Sequence, residues 1–251
     1  MRYAFAGDRK ISESILGFLI EQGFPPLALL VPEGKNVSHS NELINLSGLT
    51  QDFVFKGLRF KSSECITILK ELDLDYIFGI HFPYIIPENI LNIPEIGFLN
   101  LHPSFLPFNK GWHTPSWAIL EKKPFGATLH FMSKTLDDGD IIRQKQIQIL
   151  PSDTANILYM RVLDLELDVF KEAFLDLVAL RPFRQKQTSK GTSHNRKDLL
   201  NIQEINIDEK VKCGVLIDKL RALSTSNINE AAFFEENGIK YAIQIQIQEL
   251  E

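Results

Sequence analysis

Apolar and amphipathic segments alternate through the first hundred residues of the chain. Five short apolar runs have the length and flanking turn residues of buried β-strands. They cover Arg2–Ala6, Pro26–Val31, Asp52–Phe55, Asp75–Phe82 and Ile96–His102. Apolar residues at helical spacing predict helices over Ile11–Glu21 and Ser63–Leu72, and Pro87–Leu91 begins a further short helix. Strands that alternate with helices in this way predict a parallel sheet with helices on both faces.

The middle of the chain predicts an extension of the sheet. Strand-like runs at 126–130 and 141–149 are joined by a loop rich in Asp, and a long amphipathic helix follows over 155–180. The segment 181–197 carries six Lys or Arg residues and no acidic residue, which predicts an exposed linker.

The end of the chain predicts a short helix over 215–222 and then a β-hairpin. The hairpin strands are expected over Ala231–Phe234 and Lys240–Gln248, on either side of the turn dipeptide Asn237-Gly238. The whole pattern predicts an α/β fold, with a Rossmann-like, mostly parallel twisted sheet and a small C-terminal helix and hairpin. The predicted domains are a catalytic domain over 1–180, a basic linker over 181–213 and a tail over 214–251.

Polar side chains stand where three of the predicted strands end. They are Asp8-Arg9, His81-Phe82 and the segment Asn100–Pro103. The carboxyl ends of parallel strands meet at one edge of the sheet, and ligands bind in the crevice outside them. The first of these turns reads AGDRK and lacks the G-x-G-x-x-G pattern, so the sequence disfavours a dinucleotide site.

Composition narrows the class of function. The chain has 251 residues, and 27 basic against 32 acidic side chains give a formal net charge of −5, which is atypical of a nucleic-acid-binding protein. No apolar run approaches the ~20 residues of a membrane span. Cys65 and Cys213 are too few for a disulfide framework or a zinc site, so we expect no metal. The opening MRYAFAGDRK has no export-signal pattern, and we expect a cytoplasmic protein.

The segment 97–149 carries the most distinctive residues. Asn100 and His102 close a predicted strand, and their spacing of two puts both side chains on one face of it. Residues 136–140 read LDDGD in a loop between two predicted strands. Each feature alone has a plain structural explanation, since a strand-end His and an Asp-Gly turn are common. Their order and spacing together indicate a catalytic site.

This segment resembles the catalytic core of the formyltransferases that use 10-formyltetrahydrofolate. The hallmark of that family is Asn-x-His-Pro-Ser-x-Leu-Pro, a Gly-containing loop, Gly-x-Thr-x-His and Leu-Asp-x-Gly. The matching residues are Asn100–Pro107, Gly111, Gly126–His130 and Leu136–Gly139. The resemblance covers about residues 1–180 and implies that Asn100, His102 and Asp137 are catalytic, with Asp138 as the alternative acid.

The chemistry suits these residue types. When an amine attacks the formyl carbon, an oxyanion forms, and Asn100 can donate a hydrogen bond to it, a role worth ~3 kcal/mol in comparable sites. His102 can donate a second hydrogen bond or shuttle the proton, and Asp137 can orient His102 and accept the proton of the amine. The resemblance further implies that 10-formyltetrahydrofolate binds beside Asp137 and the segment 81–86. Phe82, Tyr84 and Ile85 are the candidate residues there, and the alternative for Phe82 and Ile85 is a core position.

The resemblance leaves three branches for the acceptor amine. The tRNA branch carries a separate basic C-terminal barrel of about a hundred residues, whereas about fifty residues follow the linker here. The purine branch has a Gly-Asn-Gly-type first turn, whereas this turn is Gly-Asp-Arg-Lys. The nucleotide-sugar branch has the core, a basic linker and a short hairpin tail, and it resembles this chain most. It implies a dTDP-linked 3- or 4-amino-dideoxyhexose as acceptor, for a bacterial surface polysaccharide.

The candidate substrate-binding residues are cations near the predicted crevice and their neighbours. They are Asp8, Arg9, Lys10, Asn109, Lys110 and Trp112, with Arg196 and Lys197 as weaker candidates. Trp112 can stack on the base or the sugar, and the cations can meet the diphosphate. For each cation the alternative is a solvated surface charge. The alternating IQIQIQ edge of the tail predicts a homodimer through residues 214–251.

Three alternative functions remain open at this point. A glycinamide ribonucleotide formyltransferase and a formyltetrahydrofolate hydrolase would use the same core. A nucleotide-sugar binding module would have lost catalysis, although Asn100, His102 and Asp137 are all present.

Overall fold

A seven-stranded β-sheet is the central element of the computed structural model, which describes residues 1–35 and 37–250. In chain order the strands are β1 (Tyr3–Gly7), β2 (Ala28–Val31), β3 (Val54–Lys56), β4 (Tyr76–Ile80), β5 (Gly97–His102), β6 (Lys110–Gly111), β7 (Phe125–Phe131), β8 (Ile141–Ile147), β9 (Ser193–His194), β10 (Ala232–Glu236) and β11 (Ile239–Ile243). The helices are α1 (Arg9–Glu21), α2 (Ser40–Ser47), α3 (Ser63–Glu71), α4 (Glu88–Leu91), α5 (Thr114–Glu121), α6 (Ala155–Val178) and α7 (Cys213–Leu223).

The sheet has the strand order β3-β2-β1-β4-β5-β7-β8. The pairs from β3 to β5 are parallel, and β7 joins β5 in the antiparallel direction. Every residue of β1, β2 and β4 is buried, as expected for parallel strands that are covered on both faces. The predicted mostly parallel α/β fold is confirmed.

The chain divides into two compact units, of which the first comprises residues 1–102, 128–144 and 166–188. Its core includes an aromatic cluster in which Phe78 lies 5.1 Å from Tyr3, 5.5 Å from Tyr76 and 5.4 Å from Phe170, between ring centroids. Burial raises the pKa of both tyrosines. Each fully buried large apolar side chain contributes about 1.5–3 kcal/mol to stability. This packing fixes β1 and β4, whose ends carry candidate site residues.

The second compact unit comprises residues 103–127, 145–165 and 189–251. Its apolar cluster contains Leu199, Leu223 and Ala232, with Trp117 packed against them. The strands β10 and β11 form the predicted hairpin. Asn237 and Gly238 have φ of 52° and 78°, the left-handed values that a type I′ turn requires.

The longest helix, α6, is amphipathic as predicted. Most of its charged residues are exposed or half-buried, but Glu166 is fully buried on the apolar face. None of the helices in the described part of the chain has the length and apolar content that a membrane span requires.

Several boundaries differ from the sequence-based expectations. α1 begins at Arg9, two residues before the predicted start, and α2 was not predicted because its eight residues carry few apolar side chains. β11 ends at Ile243, whereas the alternating pattern predicted a strand to Gln248. The reason lies in the next residues, since Ile245 donates its backbone N–H to Ser224 Oγ and leaves the partner strand.

The basic stretch 181–197 forms more structure than a predicted linker would. Gln185 and Ile141 exchange backbone hydrogen bonds of 2.8 and 2.9 Å, and β9 pairs with β6. Polar and basic side chains do not preclude strand pairing at a sheet edge, because the backbone supplies the hydrogen bonds. The domain boundaries 1–180, 181–213 and 214–251 stay predictions.

Candidate active site

The pairing of β5 with β7 sets the geometry of the site. Asn100 lies directly opposite His130, and His102 lies opposite Thr128. Asn100 Nδ2 is 3.2 Å from His130 Nε2, and His130 Nδ1 is 2.8 Å from the carbonyl oxygen of Phe131. The carbonyl can only accept, so His130 carries its proton on Nδ1, and Nε2 accepts from the Asn100 amide. His130 therefore orients Asn100 Nδ2 and uses one of its two hydrogens.

Asp137 joins this cluster from the loop between β7 and β8. One carboxylate oxygen lies 3.5 Å from His102 Nε2 and the other lies 3.7 Å from His130 Nε2. The side chains of His102 and Asp137 are each only 8% exposed, so their interaction is screened weakly by solvent. Asp138 is exposed. The burial of Asp137 beside two imidazoles makes it the better candidate acid of the two.

The predicted residues Asn100, His102 and Asp137 are thus brought together, and His130 completes the group. His130 lies in the Gly126–His130 motif, which by itself predicted no role for it. The arrangement provides an amide donor, two imidazoles and a buried carboxylate, the groups needed to stabilise an oxyanion and move a proton. In residues 1–35 and 37–250 no group of three or more His, Cys, Asp or Glu side chains is arranged to hold a metal ion.

A second buried pair lies at the carboxyl end of β4. His81 Nε2 donates towards both carboxylate oxygens of Glu166, at 2.9 and 3.0 Å, and Glu166 is fully buried. His81 has φ of 51°, a left-handed conformation that is uncommon in residues other than Gly, although Asn, Asp and His adopt it more often than the rest. The sequence motifs did not predict this pair, although a Glu within the apolar stripe of the α6 helix was a usable signal.

The predicted pterin-binding residues follow His81. Phe82 and Tyr84 pack with Phe60, with ring centroids 5.3 and 5.6 Å from it, and all three belong to or border the core. Ile85 is 87% exposed, so the alternative that Ile85 is a core residue is wrong.

The first predicted substrate-binding turn, residues 8–10, contains one buried carboxylate and two exposed cations. Asp8 is only 2% exposed, and one of its oxygens accepts from the backbone N–H groups of Ser38 and His39. These contacts hold the loop before α2. Arg9 is exposed, and Lys10 is exposed and bonds to Glu13 at 2.8 Å.

The second predicted substrate-binding stretch, residues 109–112, belongs to the second compact unit. Asn109 and Lys110 are buried, at 1% and 5% exposure, so the alternative that Lys110 is a solvated surface charge is wrong. Trp112 is 46% exposed, and the guanidinium of Arg196 lies 5.2 Å from the centroid of its indole. Arg196, a weaker candidate for substrate binding, therefore lies beside Trp112, a stronger one.

Comparison with known proteins identifies the family. Residues 28–174 match the family described as formyl transferase, and residues 198–249 match the N-formyltransferase dimerization C-terminal domain. The first match covers more than half of the chain. The chain belongs to the formyl transferase family.

Individual relatives of this formyltransferase are distant in sequence. The dTDP-4-amino-4,6-dideoxyglucose formyltransferase of Mycobacterium bovis is 25% identical over 175 residues, which are 69% of this chain and 74% of the relative. The methionyl-tRNA formyltransferase of Pelotomaculum thermopropionicum is 31% identical over 63% of this chain and 53% of its own length. The solved sugar N-formyltransferase from Shewanella sp FDAARGOS_354 superposes with a TM-score of 0.84 at 26% identity, over 100% of this chain and 99% of that one.

These findings confirm the family that the sequence motifs implied. They also support the predicted sugar N-formyltransferase branch, since the solved sugar enzyme corresponds to this formyltransferase along the full length of both chains. The residue roles inside the site are not tested by the comparisons and stay predictions.

The buried pair at the end of β4 gives a prediction about stability. We expect His81→Asn to lower the free energy of unfolding by about 3 kcal/mol, because Glu166 keeps a buried carboxylate without its donor. Asn tolerates the left-handed backbone at this position, so the variant isolates the loss of the pair from backbone strain. Urea unfolding followed by circular dichroism measures the difference.

The matched control is Lys10→Ala, which breaks an exposed pair with Glu13 and should cost less than about 0.5 kcal/mol. A loss below about 1 kcal/mol for His81→Asn would contradict a strong stabilising role for the pair.

Proposed function

We propose that this formyltransferase transfers the formyl group of 10-formyltetrahydrofolate to the amine of a nucleotide-linked amino sugar. The acceptor we infer is a dTDP-linked 3- or 4-amino-dideoxyhexose, and its formylated product would serve a bacterial surface polysaccharide. The group formed by half-buried Asn100 and buried His102, His130 and Asp137 carries this proposal, because it supplies the polar groups that formyl transfer needs. The full-length correspondence with a solved sugar N-formyltransferase supports the choice of branch. The expected cytoplasmic location stays a prediction.

The transfer needs a neutral amine, an oxyanion donor and a proton acceptor. The amine attacks the formyl carbon, and the second hydrogen of Asn100 Nδ2, with His102, stabilises the negative oxygen that forms. Asp137 accepts the proton that the amine releases, directly or through water. The bond from the formyl carbon to N10 of the folate then breaks, and N10 takes up a proton. The formyl group ends on the sugar nitrogen, and tetrahydrofolate is released.

The donor would bind beside Asp137 and the segment after β4, with Phe82, Tyr84 and Ile85 against the pterin. The exposed Ile85 side chain supports this, since a flat ring can bury apolar surface that water now covers.

For the acceptor nucleotide the second compact unit offers Lys110 and Trp112, and the roles of Arg9 and Lys10 in the first unit stay predictions. The exposed indole of Trp112 is suited to stacking on a base, and the cations are suited to a diphosphate. We assign Asp8 a different task from the one the sequence implied, because a buried carboxylate engaged with backbone N–H groups repels a diphosphate. It holds the loop at 38–39 in place.

The activity test is a mass-spectrometric assay with 10-formyltetrahydrofolate and dTDP-, UDP- and GDP-linked amino sugars. We expect one acceptor to gain a single formyl group. In Asp137→Asn we expect kcat to fall by about 10²–10⁴-fold, the range for loss of a general acid or base. Asp138→Asn is the matched control, because its exposed side chain is the next residue and the charge change is the same.

Other outcomes of this assay separate the alternatives. Formylation of glycinamide ribonucleotide, or release of formate without any amine, would keep the folate core and contradict the sugar acceptor. Binding without turnover would indicate a nucleotide-sugar binding module. Loss of activity in Asp138→Asn with full activity in Asp137→Asn would contradict the proposed proton acceptor.

We also propose a homodimer that forms through the C-terminal residues, with residues 214–251 at its centre. The match to a dimerization domain supports it, and so do the exposed apolar side chains of α7 and the hairpin. Those side chains are Val215, Ile217, Ile239 and Tyr241, each at least 43% exposed. Large apolar side chains exposed in this way are common at protein–protein contacts.

Size-exclusion chromatography with light scattering tests the dimer. We expect twice the mass of one chain for the native protein and one chain mass for the double variant Ile239→Lys/Tyr241→Lys, because burying two ammonium groups is costly. Leu175→Lys is the control, since Leu175 is 77% exposed on α6 and lies outside the tail. A native monomer, or a dimer that survives the double substitution, would contradict this interface.

A further inference from the structure

Gln187 connects the basic stretch after α6 to the loop that carries Asp137. Its side-chain Nε2 donates to the carbonyl oxygens of both Asp137 and Gly139, each at 2.9 Å. One amide group thus satisfies two carbonyls of the same loop and uses both of its hydrogens. If the amide were reversed, Gln187 Oε1 would face the carbonyl oxygens of Asp137 and Gly139, and the three acceptors would repel one another. The two carbonyls therefore determine the orientation of the amide.

The loop needs such support because its backbone is strained. Asp137 has φ of 49°, a left-handed value that costs a residue other than Gly of order 1 kcal/mol or more. Gly139 passes so close to β7 that a Cβ atom would lie 1.8 Å from the carbonyl oxygen of Phe131. The chain therefore turns sharply where it must present the Asp137 carboxylate, and strained residues persist only when their surroundings hold them.

Gln187 is itself well placed to hold the loop. Two residues earlier, Gln185 exchanges backbone hydrogen bonds with Ile141 at 2.8 and 2.9 Å. Arg184 donates to the carbonyl of Ile96 at 2.8 Å, and its guanidinium lies 3.5 Å from the centroid of the Phe131 ring. These contacts anchor the segment on the same unit that contains Asp137.

We propose that Gln187 is a positioning residue for formyl transfer, which holds the Asp137 loop so that the carboxylate faces His102 and His130. The inference rests on the proposed role of Asp137. One carboxylate oxygen lies 3.5 Å from His102 Nε2, a distance at which a small displacement decides whether a hydrogen bond forms. A displacement of about 1 Å in a catalytic group can cost about 10²-fold in rate.

The test is Gln187→Met, which keeps the approximate side-chain length and removes both donors. We expect kcat to fall by about 10- to 100-fold, while KM for the folate and for the sugar stays within about twofold. A fall in kcat with unchanged KM indicates that the Asp137 carboxylate is misplaced, whereas weaker substrate binding would raise KM.

Gln203→Met is the matched control. Gln203 also donates from Nε2 to two carbonyls two residues apart, those of Asn229 and Ala231, at 2.8 and 3.0 Å. It does so in the C-terminal domain, away from the Asp137 loop in sequence and in a different compact unit. We expect thermal melting to show a similar loss of stability in both variants and kcat to fall only in the first.

Gln187→Glu provides a second measurement that does not depend on the folding of the Met variant. A carboxylate cannot donate to the carbonyls, but a protonated carboxyl can donate to one of them. We expect the activity of this variant, divided by that of the native enzyme, to rise as the pH is lowered. A purely structural role would leave this ratio flat.

The outcomes separate the two proposals. Native kcat in Gln187→Met, or an equal loss in Gln203→Met, would overturn the positioning role while leaving the site intact. A flat activity ratio for Gln187→Glu would overturn it as well. Native activity in Asp137→Asn would instead overturn the proposed site on which this inference rests.

Discussion

The antiparallel register of β7 on β5 is the constraint on which the site depends. It sets Asn100 opposite His130, and the side chains of directly opposed residues share one face of the sheet. The proton on His130 Nδ1 is committed to the Phe131 carbonyl, so Nε2 faces Asn100 as an acceptor. If β5 shifted by one residue against β7, the side chains of Asn100 and His102 would point to the opposite face of the sheet, away from their present partners.

Strained backbone recurs where this fold presents polar groups. Left-handed φ values occur at His81, which directly follows β4, and at Asp137 in the loop before β8. Such conformations lower stability, and apolar packing elsewhere must compensate. The fully buried β1 and β4, with their aromatic cluster, supply that packing in the first unit. The buried strands thus stabilise the fold enough to offset the strained turns, and the turns determine the direction of the site side chains.

The sequence predicted what depends on short-range patterns. Alternating apolar runs predicted the parallel sheet, and the spacing of Asn100 and His102 predicted that both side chains share a face. Contacts between residues that are far apart in the chain could not be predicted from these patterns. The role of His130 requires the register, Glu166 meets a residue 85 positions away, and Gln187 meets one 50 positions away. The sequence left Lys110 open between a substrate-binding cation and a solvated surface charge, because composition does not report which segments fold inwards.

The central claim is that formyl transfer takes place between Asn100, His102 and Asp137. A crystal structure of the enzyme with tetrahydrofolate and its amino-sugar nucleotide tests this most directly. The account predicts that the sugar amine is hydrogen-bonded to the Asp137 carboxylate, either directly at about 3 Å or through one bridging water, with N10 of the folate on the side of Asn100. An amine bound away from Asp137, with other donors around the folate N10, would contradict it.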